Sequence, residues 1–229
     1  MSSKPTLHTV ISPKLLDIYD VKNSIVVIID VFRATSTIAT ALYNGAARII
    51  PVAEVATCIE IGKEVNGITA GERDGKIIEG LQHGNSPAEY PRSFIEGKTL
   101  VLTTTNGTKL LHMALNNGAD EIITGSFPNL SAVCEHLVRS NKNVILGCSA
   151  WKDRVNIEDT LFAGAVINQI QSEFTIHCDT SLMASELYHA QQNNMFQFIR
   201  KTTHWHRLAA YGLEKDLEYC VSPDLANIL

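Results

Sequence analysis

The chain reads as an α/β protein of three layers, with helices on both faces of a mostly parallel sheet, and three observations predict it. Val26, Val27, Ile28 and Ile29 form a β-branched run with no polar alternation, the pattern of a strand covered on both faces. Strand and helix patterns then alternate as βαβα through residue 64, which implies parallel pairing with right-handed crossovers. Finally, residues 102–123 can be laid on residues 29–50 without a gap, Gly118 falling on Gly45 at an offset of 73, so that a βαβ unit occurs twice. The repeat is read as an internal duplication, against the alternative that two generic strand–helix–strand units look alike. We read residues 1–229 as one domain, with pseudo-repeats at about 25–98 and 99–229.

The elements follow in order. Residues 6–16 form a short strand or extended segment with a turn around Pro13. The strand at Val26 runs into Asp30 and then a helix over about 35–44, where Ile38, Ala41 and Leu42 repeat at helical spacing and Asn44-Gly45 supplies a left-handed stop. A short strand spans 48–52 and a helix about 55–64. Residues 70–94 carry four glycines, two prolines and many charges, and are expected to be a long functional loop. A strand at 99–102 opens the second unit, and another at 143–147 leads into a helix. Asn156 is the expected N-cap of that helix, Glu158 and Asp159 complement its dipole, and Ala163, Gly164 and Ala165 suit close packing against the sheet. Residues 181–217 read as one or two amphipathic helices broken near Gly212, with Phe196, Phe198, Trp205 and Leu208 in the core or at a homodimer contact.

Composition narrows the function. With 45% hydrophobic and 19% charged residues and a net charge of −5, the chain is not basic enough for a nucleic-acid partner. Its apolar runs fall far short of the roughly 20 residues of a membrane helix, and the N-terminus lacks the apolar core of a signal peptide. A cytoplasmic enzyme or binding protein is expected. The five cysteines form no CxxC pair, and the eight histidines are unpaired except His204 and His206, read as a polar helix face, so a zinc site is not expected.

Three strand ends, at Asp30, Thr103 and Cys148, each lead through small polar residues into a helix. In an open parallel sheet such ends share one edge, where ligands bind. That edge would gather Asp30, Arg33, Thr35 and Ser36, then Thr104, Thr105, Asn106 and Thr108, then Cys148, Ser149, Arg154, Glu158 and Asp159; the glycine-rich loop would add Glu72, Arg73, Asn85 and Ser86. A helix N-terminus after Asp30 suits phosphate. A haloacid-dehalogenase mechanism needs a second acid two residues after the nucleophile, and Val31-Phe32 follow Asp30. A cysteine-dependent mechanism finds its Cys-x5-Arg spacing at Cys148 and Arg154, without the glycines that let loop amides converge. Metal-assisted hydrolysis fits better: Mg²⁺ takes one or two carboxylates, water and phosphate oxygens, and Asp30, Glu72, Glu158 and Asp159 are candidate ligands.

The segments IDVFRATST, AGERDG, GNSPAEY and TTTNGT, and a late Cys-x5-Arg followed by Glu-Asp, together resemble the 2-phosphosulfolactate phosphatase family, in the right order over about 26–165; the tail matches loosely through HRLAAYGLEKDLEYC. The resemblance implies an α/β, Mg²⁺-dependent phosphohydrolase that removes phosphate from 2-phospho-3-sulfolactate, a step in coenzyme M biosynthesis. It implies catalytic Asp30, Cys148 and Glu158; substrate contacts from Arg33, Thr35, Ser36, Arg73, Asn85, Ser86, Thr105, Asn106, Thr108 and Arg154; and metal contacts from Asp30, Glu72, Glu158 and Asp159. Where the family has a small CAG segment, this chain has Cys148, Ser149, Ala150 and Trp151, which reshapes one wall and leaves open a different phosphorylated 2-hydroxy acid as substrate. A Cys148 nucleophile and a non-catalytic anion-binding protein are the competing readings.

Overall fold

The computed structural model describes residues 4–73, 76–104 and 106–229. The β-branched run forms strand β2 (Ser24–Ile29), buried along its whole length at the centre of a parallel sheet. Its neighbours are β8 (Asn143–Cys148) on one side and β7 (Glu121–Gly125) on the other, with β1 (Leu7–Val10) beyond β8. A second four-stranded sheet contains β3 (Arg48–Val52), β6 (Thr99–Thr103), β4 (Ile68–Arg73) and the short β5 (Lys76–Ile77), in that order. All the pairings are parallel except β4 with β5. The α/β class and the mostly parallel pairing agree with the sequence, and the strands are shared between two sheets.

The two aligned strand–helix–strand units link these sheets. Helix α1 (Ala34–Tyr43) carries the chain from β2 in the first sheet to β3 in the second; α4 (Gly107–Asn116) carries it back from β6 to β7. Both helices end as expected, at an Asn followed by a glycine of positive φ, Gly45 (92°) and Gly118 (79°), a conformation that costs glycine least. The two units therefore match element by element, and common descent is a further step that this match does not supply.

The stretch expected as a loop over 70–94 is partly ordered. β4 runs through Gly71, where a Cβ would lie 2.9 Å from the Thr103 carbonyl oxygen, so glycine is what lets β4 and β6 approach. A glycine that signals a loop on paper is here a close contact between strands. A turn at Pro87–Glu89 and a short helix α3 (Arg92–Ile95) complete the segment. Between the units and the C-terminal region, α2 (Val55–Glu64) and α5 (Leu130–Ser140) cover their sheets.

Helix α6 (Ile157–Ile170) is buried around nearly its whole circumference, as befits a helix packed between the first sheet and α7 (Asp179–Gln191). Its Phe162 meets Phe127 edge-on at 5.5 Å in the main core. Asn156 occupies the N-cap with extended backbone, but its side chain makes no capping bond. Gly164 faces α7 and not the sheet: a Cβ there would stand 2.1 Å from the Ala184 carbonyl oxygen. The tail forms three further helices after α7, namely α8 (Met195–Ile199), α9 (Thr203–Ala209) and α10 (Glu214–Cys220), with the break at Gly212 in the expected place. Trp205, Leu208 and Leu217 bury against the main core. Among the described residues no helix is long and apolar enough to cross a membrane.

One side chain ties these layers together. Arg33, in the turn between β2 and α1, is 3% exposed, and its guanidinium bonds Glu72 of β4 through Nη2 and Asp216 of α10 through Nη1. First sheet, second sheet and C-terminal helices thus meet on one cation.

Two stability predictions follow from this packing. Gly164→Ala overpacks the α6–α7 contact and is expected to cost roughly 1–3 kcal/mol, read as a lowered urea midpoint; an unchanged midpoint would show that the helices do not touch there. Arg33→Ala leaves two carboxylates facing each other without their cation, and should cost about 3–5 kcal/mol. A loss below 1 kcal/mol would mean that the three layers do not depend on this contact.

Candidate active site

The C-terminal ends of β2, β4 and β6 open on a cleft of about 330 Å³, roofed by residues of the β8–α6 loop and of α9. Its walls include Asp30, Glu72, Arg73, Asn85, Thr104 and Asn106 from the two sheets, and Trp151, Lys152, His204, Arg207 and Tyr211 from the roof. The strand ends do converge, as a parallel-sheet edge demands, but they come from both sheets. A second cavity of similar size between α1 and α4 is lined by aliphatic residues such as Ile38, Leu42, Leu102 and Leu111, and holds no titratable side chain.

Asp30 follows β2 directly and lies 8% exposed, beside the first residue of α4: a Cβ on Gly107 would come within 3.2 Å of its Oδ2. Burial pushes its carboxyl up to about 7; His204 opposes that rise, Glu158 adds to it, and a bond from the Gly107 N–H again opposes it. Behind Asp30 lie two fully buried acids of α6. Asp159 accepts the Val31 N–H at 2.9 Å, which fixes the backbone just after Asp30. Its carboxyl is held well above the ordinary range by burial first, then by repulsion from Glu158 and Asp30. Glu158 bonds His204 at Nδ1. The outer oxygens, Glu158 Oε2 and Asp159 Oδ2, are buried without a hydrogen-bond partner, so the donor set is oxygen-rich and not fully satisfied. Among the described residues no three His, Cys, Asp or Glu side chains are grouped to hold a metal ion by themselves. A hard cation that keeps water and takes phosphate oxygens needs fewer protein ligands than that.

The residues expected at the site sort into distinct groups. Asp30, Glu72, Arg73, Asn85 and Asn106 line the cleft together, and so does Arg33, although its guanidinium is engaged by Glu72 and Asp216. Glu72 correspondingly faces a cation. Glu158 and Asp159 stand behind the cleft. The hydroxyls of Thr35, Ser36 and Thr108 each bond the chain's own backbone. Thr35 Oγ1 accepts the Asp30 N–H at 3.2 Å, Ser36 Oγ donates to the Val31 carbonyl at 2.9 Å, and Thr108 Oγ1 donates to the Thr104 carbonyl. Thr35 N–H also bonds the Asp30 carbonyl, and Thr37 N–H the Arg33 carbonyl, so these two amides of the first turn of α1 are met within the chain. Ser86 accepts from the Ala88 N–H at 3.2 Å in a capping box with Glu89, a structural role. Thr105 lies outside the described residues.

Cys148 and Arg154 do not form a phosphate loop. Cys148 is fully buried at the end of β8, and its thiol is raised well above its ordinary value by burial and by the nearby Asp159 and Glu158, which disfavours the thiolate a nucleophile needs. Arg154 is exposed, does not line the cleft, and exchanges two backbone bonds with Trp151. Those two bonds close residues 151–154 into a tight turn.

Sequence reasoning missed the roof. His204 and Arg207 lie three residues apart on α9, hence on one face, and reach the cleft together; Lys152 and Tyr211 join them. The available signal was the HWHR run, which a polar helix face explained equally well, and the loosely matching tail that contains it.

A family model described as 2-phosphosulpholactate phosphatase matches residues 10–229. A protein of Caldanaerobacter subterraneus subsp. tengcongensis named probable 2-phosphosulfolactate phosphatase is 38% identical over 214 residues, covering 92% of this chain and 88% of its own. A protein of Thermotoga petrophila bearing the same name is 42% identical over 200 residues, 87% of this chain and 85% of its own. One from Clostridium perfringens, likewise so named, is 32% identical over 97% of this chain and 92% of its own. With the convergent strand ends, the buried acids and a match across nearly its whole length, the chain belongs to the 2-phosphosulpholactate phosphatase family.

Proposed function

We propose that this chain hydrolyses the phosphate monoester of 2-phospho-3-sulfolactate to 3-sulfolactate and phosphate, with Mg²⁺ as cofactor and water as the attacking group. The observation that carries the reading is the cleft itself: Asp30 enters it with a carboxyl poised near 7, backed by two buried acids whose outer oxygens lack partners. Asp30, with Asp159 or Glu158 behind it, would hold the cation. When bound, Mg²⁺ supplies neutralisation of the phosphoryl oxygens as the ester bond breaks.

The chain's own groups account for the remaining requirements. Asp30, on the cleft wall, orients the attacking water. His204 is oriented by its bond to Glu158 at Nδ1, and as an imidazolium paired with that carboxylate it would offer its Nε2 N–H to the leaving alkoxide. Arg73 and Asn106 contribute donors to the anionic substrate. Thr35, Ser36 and Asp159 hold the Asp30–Arg33 turn in the geometry the chemistry needs. Cys148 takes no part.

Phosphate release from 2-phospho-3-sulfolactate, measured with Mg²⁺ and again in EDTA, tests this directly. Activity should vanish in EDTA and return on adding Mg²⁺; full turnover in EDTA would end the metal reading. Asp30→Asn is expected to lower kcat by at least about 100-fold, whereas Cys148→Ser should keep the greater part of wild-type activity. A dead Cys148→Ser enzyme that still folds would restore the cysteine mechanism.

A further inference from the structure

The register of β2 and β8 sets Ser149 beside Asp30. Ile29 pairs with Cys148, and the Ser149 N–H continues that ladder with a 2.7 Å bond to the Ile29 carbonyl. Asp30 and Ser149 therefore take the next position of the register, where adjacent residues send their side chains to the same face of the sheet. Ile29 and Cys148 point into the main core, so the residues after them face the other way, toward α4. The contacts agree: a Cβ on Gly147 would lie 2.9 Å from Leu110 Cδ2 of α4, and one on Gly107, the first residue of α4, 3.2 Å from Asp30 Oδ2. Beyond this position the ladder opens, and the Val31 N–H goes to Asp159 Oδ1 of α6.

The hydroxyls near Asp30 differ in what they do. Thr35 Oγ1 accepts the Asp30 N–H at 3.2 Å, and Thr104 Oγ1 accepts the Thr108 N–H at 3.3 Å, so both serve the backbone. Ser149 is 2% exposed, and its Oγ has no hydrogen-bond partner among the described residues. Burying a hydroxyl in that state costs free energy that an alanine at the same place would not. The missing bond is accounted for when a ligand at Asp30 supplies it.

The chemistry of that ligand follows from its neighbours. Glu158 Oε2 and Asp159 Oδ2, from the helix that follows the Ser149 loop, are likewise buried without partners. Three oxygens that lack a partner, beside the oxygens of Asp30, call for a centre of positive charge. A hard divalent cation binds one or two carboxylates and fills its remaining positions with neutral oxygens, and a serine hydroxyl is one, as in the phosphate-binding loops of nucleotide hydrolases. Such an oxygen has weight here, since among the described residues no three acidic, histidine or cysteine side chains are grouped to hold a metal ion by themselves.

We infer that Ser149, through Oγ, contributes a neutral oxygen to the cation site at Asp30. The inference rests on the metal-dependent reading above, and its test separates the two. Mg²⁺ binding is measured by calorimetry on the substrate-free full chain, with Ser149→Ala and Ser149→Thr beside wild type. Loss of one neutral oxygen predicts about 3- to 10-fold weaker Mg²⁺ binding in Ser149→Ala, and Ser149→Thr, which keeps the hydroxyl, should stay close to wild type. The urea midpoint of Ser149→Ala should equal or exceed that of wild type, because the change removes a buried hydroxyl that no protein group satisfies. In phosphate-release assays the same variant should need about 3- to 10-fold more Mg²⁺ for its half-maximal rate. Unchanged Mg²⁺ affinity in Ser149→Ala, or a lowered urea midpoint, overturns the inference and assigns the serine a structural role. Should Ser149→Thr fail to fold, Ser149→Ala decides. Ser149-dependent Mg²⁺ binding in a chain that releases no phosphate supports the site and overturns the phosphatase; full phosphate release in EDTA, from a chain that binds no Mg²⁺, overturns the site and leaves the hydrolysis standing.

Discussion

The fold and its site depend on one buried cation. Arg33 is reached by Glu72 from the second sheet and by Asp216 from the C-terminal helices, while its own backbone belongs to the turn that ends the central strand of the first. Taking a guanidinium out of water is costly unless its donors are met, and here two carboxylates from different layers meet them. The position of α10 is thereby linked to the position of Asp30, three residues before Arg33. A helix distant in sequence thus helps to hold Asp30 in place by way of a nearly buried charge at the edge of the cleft.

The same turn shows how far small hydroxyl residues are from being ligands by default. In residues 30–37, threonine and serine look like a phosphate cradle, yet each hydroxyl described there bonds the chain's own backbone: Thr35 with Asp30 and Ser36 with Val31 locally, and Thr37 with the distant Asn85 carbonyl. A buried turn must satisfy its own amides and carbonyls before it can offer any to a ligand. What such a turn presents to the cleft is the carboxylate of Asp30, and the hydroxyls frame it.

Much of the fold was legible because it rests on local patterns. The β-branched run, the Asn-Gly stops at residues 44–45 and 117–118, and the spacing of strands and helices state their structure without help from distant residues. The division into two sheets was not legible, since strand patterns do not say which strand pairs with which. β4 was hidden because Gly71 serves a close approach to Thr103 that only the folded state contains. At the site, Asp30, Arg73, Asn85 and Asn106 could be named from strand ends and loop chemistry. Asp216, His204 and Arg207 could not, because they are brought to the cleft and to Arg33 by helices that fold back from the far end of the chain. Gly164 taught a similar lesson: its smallness was plain, but not that α7, and not the sheet, required it.

The crossing of the two strand–helix–strand units has a consequence for how the chain emerges from the ribosome. Strands β3, β4 and β6 of the second sheet all lie between residues 48 and 103, so that sheet can pair as soon as its own segment is made. The first sheet cannot. Its central strand β2 is synthesised early, yet both of its partners, β7 and β8, come after residue 120. For that interval a strand with five consecutive aliphatic residues and two unpaired edges has no native neighbour to shield it, the condition in which nascent chains aggregate or recruit chaperones. The second sheet behaves as an insertion within the first, and early shelter for β2 becomes a requirement of making this protein at all.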